Sequence, residues 1–170
     1  MSLQLSAVAP PDASLQWTTV DNRVTLSGIT ATVGDCLLLP TDTSGIASTA
    51  IAPTSASIGV PGANIVEDGW FGIVIDLLGG GGADATDVIV RTKGIVSAWT
   101  SASAAFSPDQ AFAPNTSKQM TASVVATAGE ANKKLVALTT ESDAAGSPAT
   151  ALRKVLFDGI NGFGRAGGAT

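Results

Sequence analysis

Between residues 87 and 159 the chain breaks into short apolar segments separated by small polar turns. They read DVIVRTKGIVSAW, SPDQAFAP, KQMTAS, KKLVALTTESDAAGS and RKVLFDG. Each apolar piece has the length of a strand, and the gaps hold Gly, Pro, Ser, Asp and Asn, the residues that favour turns. A helix needs an apolar stripe that returns every three to four residues over several turns, and no segment sustains one. The nearest approach is residues 121–134, where Val124-Val125 and Gly129 weaken the helical reading. The pattern predicts an all-β chain, an antiparallel meander that closes into a small barrel or sandwich.

Further strands are expected upstream. Residues 70–78 (WFGIVIDLL) are rich in aromatic and β-branched side chains and read as a buried strand. Residues 36–39 (CLLL) form a short continuous apolar run stopped by Pro40, and residues 23–31 alternate apolar and polar as a half-buried strand does. Between them, residues 40–64 are a long Thr/Ser/Ala/Pro/Gly stretch expected to be a loop. Four glycines, Gly79 to Gly82, read as a flexible turn.

The ends are read separately, as an arm over residues 1–20 and a flexible tail over 160–170, flanking one domain over 21–159. Pro10 and Pro11 lack amide donors, so the arm cannot be helical there or lie centrally in a sheet. Leu3, Leu5, Val8, Leu15 and Trp17 are nevertheless apolar enough to dock onto something. The arm is either a terminal strand of its own domain or a strap across a neighbour. With Pro10 and Pro11, those five residues are the candidate contact residues.

Composition excludes most chemistry. The 170 residues include no histidine, which rules out a Ser-His-Asp triad, a Cys-His pair and an HExxH zinc site. The single cysteine, Cys36, sits in an apolar run and reads as a buried thiol without a Lys or Arg nearby in sequence to activate it. No catalytic, cofactor-binding or metal-binding residue is expected, and no enzymatic activity. Residues 1–109 hold 3 basic and 10 acidic side chains, net −7, and residues 110–170 hold 6 basic and 4 acidic, net +2. An acidic chain without a basic block is not expected to bind nucleic acid. The longest apolar run is nine residues and contains Asp76, so no membrane span is expected. No charged region precedes the early apolar residues, since the first basic residue is Arg23, so no secretory signal is read.

Several motifs invite a function and fail on chemistry. GGGGAD places Asp84 and Asp87 where a phosphate would bind, and it lacks the Lys-Ser/Thr that closes a phosphate loop. LLLPTDTSG is like an aspartic-protease loop, but it has one residue too many and no second copy to share the proton. The acidic pairs Glu67-Asp68 and Glu141/Asp143 fall short of a calcium loop. Asn115-Thr116-Ser117 matches a glycosylation sequon, which carries no weight without export. Trp17, Trp70 and Trp99 are far apart and read as core rather than as a sugar platform.

From Trp70 onward, the order and spacing of the segments resemble the capsid-decorating, or cement, proteins of tailed bacteriophages. WFGIVIDLL corresponds to the strand before that family's module, and DVIVRTKGIVSAW to a Val/Ile-rich strand running through a glycine into a second. KKLVALTTESDAAGS is similar to its strand with an Ala/Gly-rich turn, and RKVLFDG to its closing strand. The likeness covers about half the chain. It departs at the insert 40–64 and at Pro108-Asp109, where the family usually has Gly-Asp. The resemblance implies a structural protein without an active site or cofactor, made in the host cytoplasm and carried on the outer surface of the virion head. There it would bridge neighbouring subunits of the major capsid protein, often as a homotrimer. A β-rich receptor- or glycan-binding domain of a tail or fibre protein is the alternative.

Overall fold

The structure, a computed structural model, describes residues 19–40, 48–54, 70–79, 86–101, 110–122, 135–140 and 150–163. Among them are nine strands: β1 (Val20–Leu26), β2 (Cys36–Leu39), β3 (Thr49–Ala50), β4 (Trp70–Leu78), β5 (Asp87–Ser101), β6 (Ala111–Pro114), β7 (Met120–Ala122), β8 (Ala137–Thr139) and β9 (Thr150–Asp158). The chain is all-β, as its turn-punctuated pattern predicts, and its strands join in one sheet.

Five strands close a barrel in the order β5-β7-β6-β8-β9 and back to β5. This is not a simple meander. The β6–β7 hairpin is turned so that β7 lies parallel to the end of β5, at Thr100–Met120 and Ser101–Thr121, while β6 meets β8. Asn115 holds that hairpin: its Oδ1 accepts from the amides of Ser117 and Gln119 at 2.9 and 3.0 Å, and its Nδ2 donates to Thr121 at 2.8 Å. The sequon is therefore a turn device, with its side chain committed to the fold.

A second circuit shares β5. The first half of that strand pairs with β4 on the way to β2, and with β1 on the way to β3. Ile51, just after β3, bridges Leu38 of β2 through two 2.9 Å backbone hydrogen bonds and completes the ring. The expected loop 40–64 thus contains structure at 48–54, because small residues such as Thr49 and Ala50 fit between β1 and the buried β2.

Two apolar cores result, one per circuit. The barrel core gathers Phe71, Phe112, Phe157, Met120, Val96 and Val155; the other gathers Val24, Leu37, Leu39, Val74, Val88 and Val90. β2 is the wall between them. Cys36 and Leu38 enter the barrel core while Leu37 and Leu39 enter the second, so CLLL lacks alternation because both of its faces are covered. β4 does the same, with Phe71 and Ile73 on one side and Val74 on the other.

Three other expectations shift. Residues 121 and 122 are strand, so no helix begins there, and 123–134 lie outside the described residues. The alternating strand expected at 23–31 is β1, which starts three residues earlier and ends at Leu26. The tail expected from 160 is pinned through Phe163, whose amide donates to Leu135 O at 2.7 Å, while Asp158 Oδ1 accepts from the amide of Asn161 at 2.8 Å.

Candidate functional site

The expected contact residues Leu3, Leu5, Val8, Pro10, Pro11, Leu15 and Trp17 all lie outside the described residues, as do both acidic pairs and the DTSG loop. Among the described residues no group of three or more His, Cys, Asp or Glu converges on a metal position. Cys36 is fully buried, and burial, with Asp35 adding to it, pushes its thiol well above the usual range, so the thiol stays neutral. It packs as a small apolar side chain.

A groove of about 680 Å³ opens beside Leu26, Ile29, Thr30, Thr86 and Lys118. Its one cation is spent on the fold, because Lys118 Nζ donates to Thr30 O at 2.8 Å and pairs with Asp35 at 3.1 Å.

The outer face of the β5–β9 ladder is different. Side chains alternate along both strands, and the inward set, Val96, Ala98, Val155 and Phe157, is buried. The outward set is also largely apolar: Ile95 opposite Leu156, Ser97 opposite Lys154, and Trp99 opposite Leu152. Ile95 keeps 41% of its surface exposed and Leu152 47%. Val33 of the β1–β2 connection, 45% exposed, joins Ile95, Ser97 and Lys154 around a shallow groove of about 310 Å³. Leu152 and Trp99 crowd the neighbouring Gly34, where a Cβ would stand 2.4 Å from Leu152 Cδ1 and 3.1 Å from Trp99 Cδ1. Val33, Ile95 and Leu152 are the exposed large hydrophobics among the described residues, and all three border this face. Apolar residues gathered in this way mark a contact surface, whereas scattered ones carry no meaning.

Charges frame the face at one end. Arg91 Nε and Nη2 donate to the two Asp21 oxygens at 2.8 and 2.9 Å, and Nη1 donates to Ile95 O at 2.8 Å. The Arg91 hydrogen bond holds the Asp21 carboxyl below its ordinary value despite partial burial, and Arg91 rises in turn. Nearby, Asp158 pairs with Lys93 at 3.6 Å; burial pushes its carboxyl up, but the Asn161 hydrogen bonds, the Lys93 charge and the Ile160 amide together bring it down. At the other end of β1, Arg23 and Thr25 hold Asp87 low.

No family model matches the chain. No curated protein matches it either.

The sequence reading places all three tryptophans in the core. Trp70 is half-buried and packs against the second core, but Trp99 is a half-buried member of the outer face. The signal for this face was present. In TALRKVLFD both alternating sets carry large apolar residues, Leu152 and Leu156 on one parity and Val155 and Phe157 on the other.

Proposed function

We propose that this chain is a structural virion protein that binds the outside of an icosahedral phage capsid and cements neighbouring major capsid subunits, and that it does so as a homo-oligomer, with a trimer favoured by the family resemblance. The observation that carries the reading is the apolar outer face of β5–β9 on a body whose strands close into two circuits. Such a body offers surface for association, and the cations described near its grooves are engaged in holding the fold. The order of segments from Trp70 onward, which resembles the cement proteins, supplies the class of partner.

The physical demand on such a protein is modest. A stable contact buries about 800 Å² per partner, and hundreds of copies on a shell multiply weak contacts into a large effect. The arm supplies reach, since 18 residues extended span at most about 60 Å, and its apolar side chains can add to an exposed sheet edge on a capsid subunit.

Trp99 is the observation that favours the glycan-binding alternative, and a glycan array with clear hits lost in Trp99→Ala would select it. The direct test is co-sedimentation with expanded shells of the major capsid protein encoded beside this chain. The intact protein is expected to pellet with shells to saturation, and a form lacking residues 1–18 to remain folded in solution. Undiminished binding by the shortened form would remove the arm from the contact; no binding by either form would overturn the proposal.

A further inference from the structure

The first described residue, Thr19, lies at a specific place. A Cβ on Gly94 would stand 3.1 Å from Thr19 Oγ1, 3.4 Å from Thr19 Cα and 3.6 Å from Arg91 Cδ. Gly94 has φ +119°, which lets β5 present a bare backbone where any other residue would be strained. Arg91, with its partner Asp21 partly exposed, belongs to the outer side of the sheet. The chain therefore arrives at β5 over its outer side, one residue from Ile95 and at the beginning of the apolar face.

We propose that residues 12–18, the root of the N-terminal segment, occupy this face on their own chain, with Trp17 and Leu15 seated over Ile95, Trp99, Leu152 and Val33. Four observations converge on that occupant. The first is register. β1 runs antiparallel to β5 with Val20 opposite Lys93, so a segment continuing the same way brings Trp17 level with residue 96 and Leu15 level with residue 98. The second is reach, since from Thr19 back to Leu15 an extended chain covers about 13 Å, the same length as β5 from Ile95 to Trp99. The third is alternation: Leu15 and Trp17 are two apart, so in extended chain both point to one side while Ser14, Gln16 and Thr18 point to the other. The fourth is charge, because Asp12 is the only charged side chain in residues 1–18, and a nearly neutral segment suits an apolar face carrying the single cation Lys154. Pro10-Pro11 then separates this root from Leu3, Leu5 and Val8, which remain to contact a neighbour. That division deepens the arm assignment above, whereas the seating of the root is a property of the free protein.

The experiment uses free protein without shells. Fluorescence of the apolar dye 8-anilinonaphthalene-1-sulfonate is compared for the full chain, a form lacking residues 1–9 and a form lacking residues 1–18, each checked for native circular dichroism. The full chain with Leu15→Ser and Trp17→Ser serves as a second variant that keeps the chain length. The expected result is no change on removing residues 1–9, and a several-fold rise both on removing 1–18 and in the double variant. That rise should be abolished by adding Ile95→Glu and Leu152→Glu. Three results would overturn the proposal: no rise in either root variant, a rise that the glutamates leave in place, or dye binding by the full chain that increases on dilution. The last would mean that a second copy covers the face. Because no capsid enters the experiment, its outcome is independent of the cementing role.

Discussion

Gly159 ends β9 with its backbone pressed on β4: its amide donates to Thr92 O at 2.9 Å, and its carbonyl accepts from Phe71 N at 3.0 Å. A Cβ there would stand 2.0 Å from Phe71 O. Backbone cannot step aside as the end of a flexible side chain can. Gly159→Ala is therefore expected to destabilise by about 2–3 kcal/mol, read as a lower urea midpoint with an unchanged slope; a midpoint equal to that of the parent would contradict the close approach. The carboxylates set the pH dependence. Asp21, Asp87 and Asp158 all have folded values below the ordinary one. Their contribution is complete above the unfolded value of about 3.9 and is lost as pH falls through the lowered folded values. With no histidine in the chain, stability should be flat from about pH 5 to 8 and fall below about pH 4. Urea midpoints measured across pH check this, and a slope near neutrality would contradict it. Asp21→Asn should make the acid limb shallower.

At the scale of elements, β5 is the strand on which the fold turns. Its 15 residues serve the second core through Val88 and Val90 and the barrel core through Val96 and Ala98. Two cores joined through one continuous strand, with β2 and β4 as a shared wall, should unfold together. Leu37→Ala in the second core is expected to cost about 2–5 kcal/mol and Phe112→Ala in the barrel about 3–5 kcal/mol, each moving one cooperative transition. Calorimetry that resolved two transitions, with only one displaced by each variant, would contradict this. These elements were legible to different degrees. CLLL and WFGIVIDLL match β2 and β4 residue for residue, because a continuous apolar run can be satisfied only by burial on both faces. The reason for the double burial, a second core, was not legible, since periodicity within a strand says nothing about what lies across from it. The parallel pairings β1–β3 and β5–β7 were hidden for the same reason. Gly94 was read as a break between two strands, whereas β5 runs through it, taking the positive φ that only glycine tolerates well.

For the whole molecule, closure changes where contacts can form. A meander would leave an edge for self-association, but here the described strands join in two rings that share β5, and closure removes edges. Association then falls to faces, and the outward apolar set on β5 and β9 is the face that the described residues provide. Sequence reading placed the contact in the arm alone, because proline and isolated apolar residues there stand out, whereas Leu152 and Ile95 are indistinguishable from core residues until the sheet is closed. Arm and face together describe a body built to be held between larger partners. The most direct measurement is the heat-induced disruption of expanded capsid shells, followed by calorimetry with and without saturating amounts of this protein. The cementing account predicts a higher disruption temperature that rises with occupancy and reaches a plateau. Shells that bind the protein yet come apart at an unchanged temperature would contradict it.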